Sequence, residues 1–411
     1  MTGKPANRLA LAFIFITMLI DVMGLGIILP ILPKLIAGLA HSGMDEAARI
    51  GALLSFAYAG MQFLFAPLMG NLSDRFGRRP VLIVSLVGIC IDYTIMGFAP
   101  TLSWLFFGRI LSGMAGASFT AAAAYIADIS PPEKRAQNFG MIGAAFGVGF
   151  VIGPALGGLI GHYGVRLPFF AAAGLAAANA LYGLIVLKES LSFENRRKFE
   201  LWRANPWGAF MVLKRYPVVL PLCGVLILMR LAHDANPTVF SYYTMLKFAW
   251  GPRDVGLSLM AVGLVTAVAY ATLPRYAKVI GEGRSVYIGL AGGATCFLGY
   301  AFATQGWMMY AFMLPFALIC LVMPSLNAMM SREVGPKAQG ELQGALTSGG
   351  SLTSVFAPLI LGNLFAWFSG PQAPVYFPGA AFAAAALFLA LAALLFATIR
   401  NRPHRSAEDA N

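Results

Sequence analysis

What most constrains this chain is a succession of apolar runs, each about long enough to cross a bilayer as one helix. Leu9–Leu29, Val81–Ala99 and Ala380–Ile399 are three of them, each close to the ~20 residues that span ~30 Å of hydrocarbon. The chain has 411 residues, 59% of them hydrophobic and 11% charged, whereas a soluble domain is nearer half apolar and a quarter charged. A mean hydropathy of +0.74 spread over many runs means that the missing solvent is lipid, so the bilayer is the first partner the sequence implies. Breaking the chain at its charged, Pro and Gly clusters predicts twelve spans, near 9–36, 48–70, 80–99, 103–126, 137–160, 167–188, 217–245, 255–276, 284–303, 307–330, 342–367 and 375–399. The expected fold class is an all-α membrane protein of twelve transmembrane helices.

An even number of spans puts both termini on one side. Basic residues alternate accordingly: Lys4 and Arg8, Arg75 to Arg79, Lys134 and Arg135, Lys188 to Arg215, Arg275 to Arg284, Arg332 and Lys337, and Arg400 to Arg405 fall on one side. The positive-inside rule makes that side the cytoplasm. The longest connection divides the chain into an N-terminal six-helix bundle at 1–188, a cytoplasmic linker at 189–216 and a C-terminal six-helix bundle at 217–411.

The net charge of +12 lies in short patches between apolar runs, which orients a membrane protein and does not build a nucleic-acid surface. Cys90, Cys223, Cys296 and Cys320 stand alone in apolar segments, without the paired spacing of a disulfide framework or a zinc site. The first apolar run is long, holds Asp21 and continues through Pro30 and Pro33, so it reads as a retained span and not as a signal peptide. Walker, HExxH and GxSxG patterns do not occur, which argues against an ATPase and against an intramembrane enzyme.

The two halves share an offset of 204 residues, which aligns Gly77 with Gly281, Pro132 with Pro336, Gly140 with Gly344 and Pro154 with Pro358. A constant offset over that length favours duplication, and parallel six-helix repeats are a recurring transporter plan that puts the substrate between the halves.

Between spans 2 and 3 runs Gly70-Asn-Leu-Ser-Asp74-Arg75-Phe-Gly77-Arg78-Arg79-Pro80. Its glycines permit close approach and a tight turn, Asp74 suits a helix N-terminus, and the arginines suit bridging to neighbouring loops or to the other half. This segment resembles the loop motif of the major facilitator superfamily, which implies a conformational gate and a fold of two pseudo-symmetric six-helix bundles. Span 5 carries Gly147-Val-Gly149-Phe-Val-Ile-Gly153-Pro154-Ala-Leu-Gly157-Gly158, in which small residues let backbones touch and Pro154 removes a helical hydrogen bond. That run resembles the signature of the superfamily's drug:proton antiporters.

Most of the chain, and residues 10–160 above all, resembles the tetracycline exporters, the tetracycline:proton antiporters of that superfamily. The likeness rests on Asp21-Val-Met-Gly24-Leu-Gly26-Ile-Ile-Leu-Pro30-Ile-Leu-Pro33, on Ile91-Asp92-Tyr93-Thr-Ile-Met, and on Gly108-Arg109-Ile-Leu-Ser-Gly113 leading to Ala124-Tyr125-Ile126-Ala127-Asp128-Ile129. The resemblance implies that Asp21, Gln62, Asp92 and Arg109 line or couple to the transport path. It also departs from the family, which carries a His in span 8 and an Asp in span 9: span 8 here runs Gly263-Leu-Val-Thr266-Ala-Val-Ala-Tyr270, and span 9 has no such group.

Ionisable groups at membrane depth are costly and therefore functional by default. Asp21 lies near mid-span, and antiparallel spans 3 and 4 bring Asp92 and Arg109 to a comparable depth. Burial favours a neutral carboxyl group, a neighbouring guanidinium favours the carboxylate, and switching between such surroundings is what proton coupling requires. In the second half, Arg230, His233 and Asp234 in span 7 and Asn327 in span 10 are candidates for the path, with a solvated gate cluster and helix packing as the competing roles.

The expected function is proton-coupled efflux of a small amphiphilic, tetracycline-like drug by alternating access. It would be driven by the proton gradient, need no cofactor beyond a divalent cation carried with the substrate, and work as a monomer. The alternative is a facilitated carrier or importer of an endogenous solute such as a sugar, siderophore or other metabolite on the same fold.

Overall fold

The computed structural model describes residues 5–116, 118–197, 219–334 and 339–400. Among them the ordered structure is helical. Twelve helical stretches are long and apolar enough to cross a membrane: Ala10–Ile28, Met44–Phe76, Arg78–Phe98, Leu102–Ile129, Glu133–Tyr163, Leu167–Val186, Val219–Phe248, Pro252–Leu273, Glu282–Phe302, Trp307–Glu333, Leu342–Ser369 and Ala380–Arg400. They are numbered here as spans 1 to 12. Many of their outward side chains are large and apolar, among them Leu64, Val84, Ile185, Val268 and Leu394. In water such a surface would be a liability; in lipid it is the expected exterior.

Where the helices break, the sequence supplies the cause. Span 1 was expected to run to residue 36, but the helix ends at Ile28 and a separate helix, Leu32–Ala40, follows. Pro30 and Pro33 explain this: proline lacks the N–H that continues a helix and is tolerated at a helix start. Span 4 breaks at Gly116. Span 7 breaks at Asp234, between the helices Val219–His233 and Ala235–Phe248, and Pro237 sits within a turn of that break.

The offset of 204 seen in the sequence reappears in the backbone. Gly77 and Gly281 both have positive φ, +106° and +86°, and each stands immediately before a span. Pro154 and Pro358 each lie inside a long helix. The same offset relates two ion pairs: Arg78 with Asp128 in the first half, and Glu282 with Arg332 in the second. Their charges are exchanged. Pro336 lies outside the described residues.

The chain forms two compact units that do not follow chain order. The first joins residues 1–206 with 237–264 and 358–378; the second comprises 207–236, 265–357 and 379–411. Their boundaries on spans 7 and 11 fall at Pro237 and Pro358. The first unit has a core in which Phe13, Met18, Leu82, Tyr125 and Ala145 from spans 1, 3, 4 and 5 are buried together. In the second, Phe297 packs against Phe316 and Phe382, with ring centroids 5.7 and 6.1 Å away. The linker is described only as far as Arg197.

Candidate functional site

Asp92 of span 3 is fully buried, and Arg109 of span 4 is 7% exposed. The guanidinium of Arg109 donates to Asp92 Oδ2. Antiparallel spans 3 and 4 make the meeting possible, and Gly108 leaves room for it, because a Cβ there would stand 2.6 Å from Asp92 Oδ1. Arg109 Nη2 also lies 3.0 Å from Met96 Sδ, and its Cζ is 5.4 Å from the Tyr58 ring centroid. A guanidinium over an aromatic face is attracted by the ring quadrupole, more strongly where water is excluded.

Tyr58 and Gln62 are four residues apart on span 2 and so share a face. Gln62 donates to the Gly116 carbonyl over 3.1 Å, at the point where span 4 breaks. Asp21, 8% exposed on span 1, lies within electrostatic reach of both Tyr58 and Tyr93. Tyr93 rests on Gly24, where a Cβ would come within 2.5 Å of the Tyr93 hydroxyl. The first unit thus gathers Asp21, Gln62, Asp92 and Arg109 into one polar cluster walled by two tyrosines. Sequence reasoning singled out neither Tyr58 nor Tyr93 as a site residue. The i, i+4 relation of Tyr58 to Gln62 was the available signal, since an aromatic ring in an apolar span carries no charge to mark it.

In the span 2–3 loop, Asp74 accepts from Arg78 Nη1 over 2.5 Å, and its carbonyl accepts from Arg197 N. Sequence reasoning set Asp74 at a helix N-terminus; the carboxylate found at the start of span 3 belongs instead to Glu189, which follows span 6. Arg78 N donates to Glu189 Oε1 over 2.8 Å and Arg79 N to Oε2 over 3.2 Å. Such N–H groups have no helical acceptor, and a carboxylate there also complements the helix dipole. The Asp74 carboxylate is engaged by the Arg78 guanidinium instead. Arg78 Nε also donates to Asp128 Oδ2 over 3.2 Å, while Arg79 Nη2 donates to the Leu184 carbonyl. Arg75 lies over the Phe76 ring. The loop is therefore tied to the ends of spans 4 and 6 within its own unit. Gly70 meets only ordinary packing, its nearest neighbour being Thr120 Cγ2 at 3.6 Å from a Cβ.

The span 5 motif works through close backbone contact on two sides. Against span 1, a Cβ at Gly153 would lie 2.7 Å from the Met23 carbonyl, one at Gly149 would lie 2.9 Å from Val22, and one at Gly157 would overlap the Ile27 backbone. Against span 8, a Cβ at Gly158 would be 2.5 Å from the Pro252 carbonyl and 3.0 Å from Gly256 Cα. Pro154 packs on Gly26. Gly147 alone among these glycines faces open space.

The second unit contains a cavity of about 190 Å³. Arg230, His233 and Asp234 of span 7 line it with Thr266 and Tyr270 of span 8 and Phe316 of span 10. His233 stacks on Phe316 with centroids 5.9 Å apart and planes 29° from parallel. Asn327 is not among the lining residues, and its buried Oδ1 has no hydrogen-bond partner among the described residues. The four candidates in the second half are therefore divided: three share a cavity and the fourth stands apart from it.

Twelve helices long and apolar enough to cross a membrane among the described residues, packed through glycines and enclosing a buried charge cluster, define a polytopic membrane protein. Comparison with known proteins agrees. The model of the Major Facilitator Superfamily matches residues 14–358 and 222–411. The chain is 42% identical over 358 residues to the class C tetracycline resistance protein of Escherichia coli, covering 87% of this chain and 90% of that one. It is 40% identical to the class G tetracycline resistance protein of Vibrio anguillarum, covering 83% and 86%. Among solved structures, a bacterial homologue of the human lysosomal transporter Spinster superposes with a TM-score of 0.79 over 97% of this chain and 98% of that one, at 15% identity, a likeness of fold alone. The chain belongs to the Major Facilitator Superfamily, and within it is similar to the tetracycline resistance proteins.

Proposed function

We propose that the protein exports a small amphiphilic, tetracycline-like drug across the bacterial inner membrane in exchange for protons, by alternating access, with both termini in the cytoplasm. The observation that carries this reading is the buried Asp92–Arg109 ion pair within the cluster of Asp21, Tyr58, Gln62 and Tyr93. Four of its residues, Asp21, Gln62, Asp92 and Arg109, are those that the resemblance to the tetracycline exporters assigned to the path. Relatives whose names record tetracycline resistance match over more than four fifths of the chain.

A proton on Asp92 removes the charge that holds Arg109. The guanidinium then keeps an uncharged acceptor oxygen on Asp92, the Tyr58 face and the Met96 thioether, all weaker partners for a buried cation than a carboxylate. A protonated and an unprotonated cluster thus favour different local arrangements, which is the requirement for coupling proton entry to a conformational change. Each proton entering down the membrane potential supplies about 2.3 kcal/mol per 100 mV. The substrate brings any divalent cation with it as part of the cargo, and the protein works as a monomer.

Inverted vesicles carrying the protein test this. With a pH gradient imposed, tetracycline accumulation and gradient dissipation should occur together and both should disappear in Asp92→Asn. Vesicles in which neither tetracycline nor an unrelated amphiphile moves protons would refute the exporter reading.

A further inference from the structure

The cavity of the second unit holds a cation and an anion that do not satisfy each other. Arg230 and Asp234 are one helical turn apart on span 7 and line the same space, yet among the described residues no ion pair or side-chain hydrogen bond joins them. Nε of Arg230 and Oδ2 of Asp234 are buried without a hydrogen-bond partner. Among the described residues, the hydrogen-bond partner found for Arg230 Nη2 is the Met323 thioether at 3.8 Å, a weak acceptor. Asp234 N donates to the Arg230 carbonyl over 3.0 Å, so the helical turn between them is intact and it is the two side chains that part within the cavity. Both residues are half-buried and within electrostatic reach of each other, but buried polar atoms are nearly always hydrogen-bonded and these two are not. A donor and an acceptor left open in one cavity, beside the stacked pair His233 and Phe316, have the form of half a binding site.

Building on the export reading above, we propose that this cavity is a substrate subsite for a planar, oxygen-rich head group. A carbonyl or enolate oxygen accepts from Arg230, an adjacent O–H or N–H donates to Asp234, and the ring lies along the His233–Phe316 wall. The substrate class is a conjugated ring bearing a carbonyl next to a hydroxyl or amide. A bare lipophilic cation has neither group and gains nothing from this subsite. The span 8 residues that face the cavity, Thr266 and Tyr270, carry no charge, so its ionic chemistry comes from span 7.

Equilibrium binding to the purified full-length protein in lipid nanodiscs tests the proposal, with tetracycline and tetraphenylphosphonium as the two probes. Arg230→Gln and Asp234→Asn should each weaken tetracycline binding at least tenfold and leave tetraphenylphosphonium within about twofold of the intact protein. Gly350→Ala serves as a variant that leaves both charges in place, because its Cβ would come 3.1 Å from Arg230 Cζ and displace the guanidinium; it too should weaken tetracycline selectively. Retained tetraphenylphosphonium binding reports that each variant is folded. If all three variants bind tetracycline like the intact protein, the cavity holds only water and the proposal is overturned. Loss of both probes together in every variant also overturns it, since the subsite would not be selective. An intact protein that binds tetraphenylphosphonium but not tetracycline refutes the subsite while leaving drug export standing. An intact protein that binds neither removes the export reading and the subsite with it.

Discussion

Removing one member of the Asp92–Arg109 pair should be far more damaging than removing both. Asp92 is fully buried and Arg109 7% exposed, so either charge left alone has lost its partner without gaining water. Breaking a buried pair in this way costs about 3–5 kcal/mol, whereas replacing the whole pair by neutral groups is often close to neutral. Asp92→Asn keeps the shape and an acceptor oxygen, which sets its expected cost near the lower end, about 3 kcal/mol. Arg109→Gln also gives up the contacts with Tyr58 and Met96 and should cost at least as much. Simple addition then gives about 6 kcal/mol for the double variant, but no unpaired charge remains in it, and its loss should fall well below that sum. Unfolding in mixed micelles, followed by tryptophan fluorescence, gives the stabilities of the four proteins needed for the cycle. Transport in vesicles should be abolished in all three variants, because the double variant regains stability but has no titratable carboxyl group at position 92. Additive destabilisation would refute the coupling drawn from the geometry; tetracycline–proton exchange by the double variant would remove the pair from the mechanism.

Three further outcomes are expected. Gly157→Ala drives a Cβ into the Ile27 backbone, which cannot rotate away, so it should cost about 1–3 kcal/mol and abolish transport; Gly147→Ala, facing open space, should leave transport unchanged in the same vesicle assay. Glu189→Gln weakens the two charge-assisted bonds to Arg78 N and Arg79 N and should lower stability by about 1 kcal/mol at low ionic strength, less in high salt, as read by thermal unfolding at two salt concentrations. Gly77→Ala adds a clash with Glu189 to the strain of positive φ, whereas Gly281→Ala meets no neighbour; both should lose about 1–2 kcal/mol from strain, with Gly77→Ala the worse in a side-by-side melt.

Much of this was legible in the sequence because the bilayer imposes it. A span needs a fixed length of apolar residues, so twelve of them can be counted, and an Asp or Arg inside one is conspicuous. Comparable depth along antiparallel neighbours was enough to bring Asp92 and Arg109 together on paper. What stayed hidden depends on side chains whose chemistry gives no warning. Tyr58 looks like ordinary apolar filling until Arg109 is found over its face. Glu189 reads as one charge among many in a linker, and only the start of span 3 beside it reveals its use. Asp74 was set at a helix end because its motif lies next to one, but sequence proximity does not fix which end a carboxylate can reach. The break in span 7 was signalled by Pro237; that Arg230 and Asp234 would line one cavity without a hydrogen bond between their side chains required the geometry of four spans.

The exchanged ion pairs related by the offset of 204, Arg78 with Asp128 and Glu282 with Arg332, record a piece of this protein's history. If both halves descend from one ancestral unit, one of them has traded sign at two positions that lie fifty residues apart in the chain. A lineage that changed one position first would have passed through two like charges facing each other, a state that natural variation tends to shed quickly. Opposite charge at that contact, whichever side bears it, is then what persisted through divergence, while the identity of the residues drifted. On that descent, this contact kept its pairing while its residues changed, and a search for the duplication by residue identity alone would pass over this correspondence.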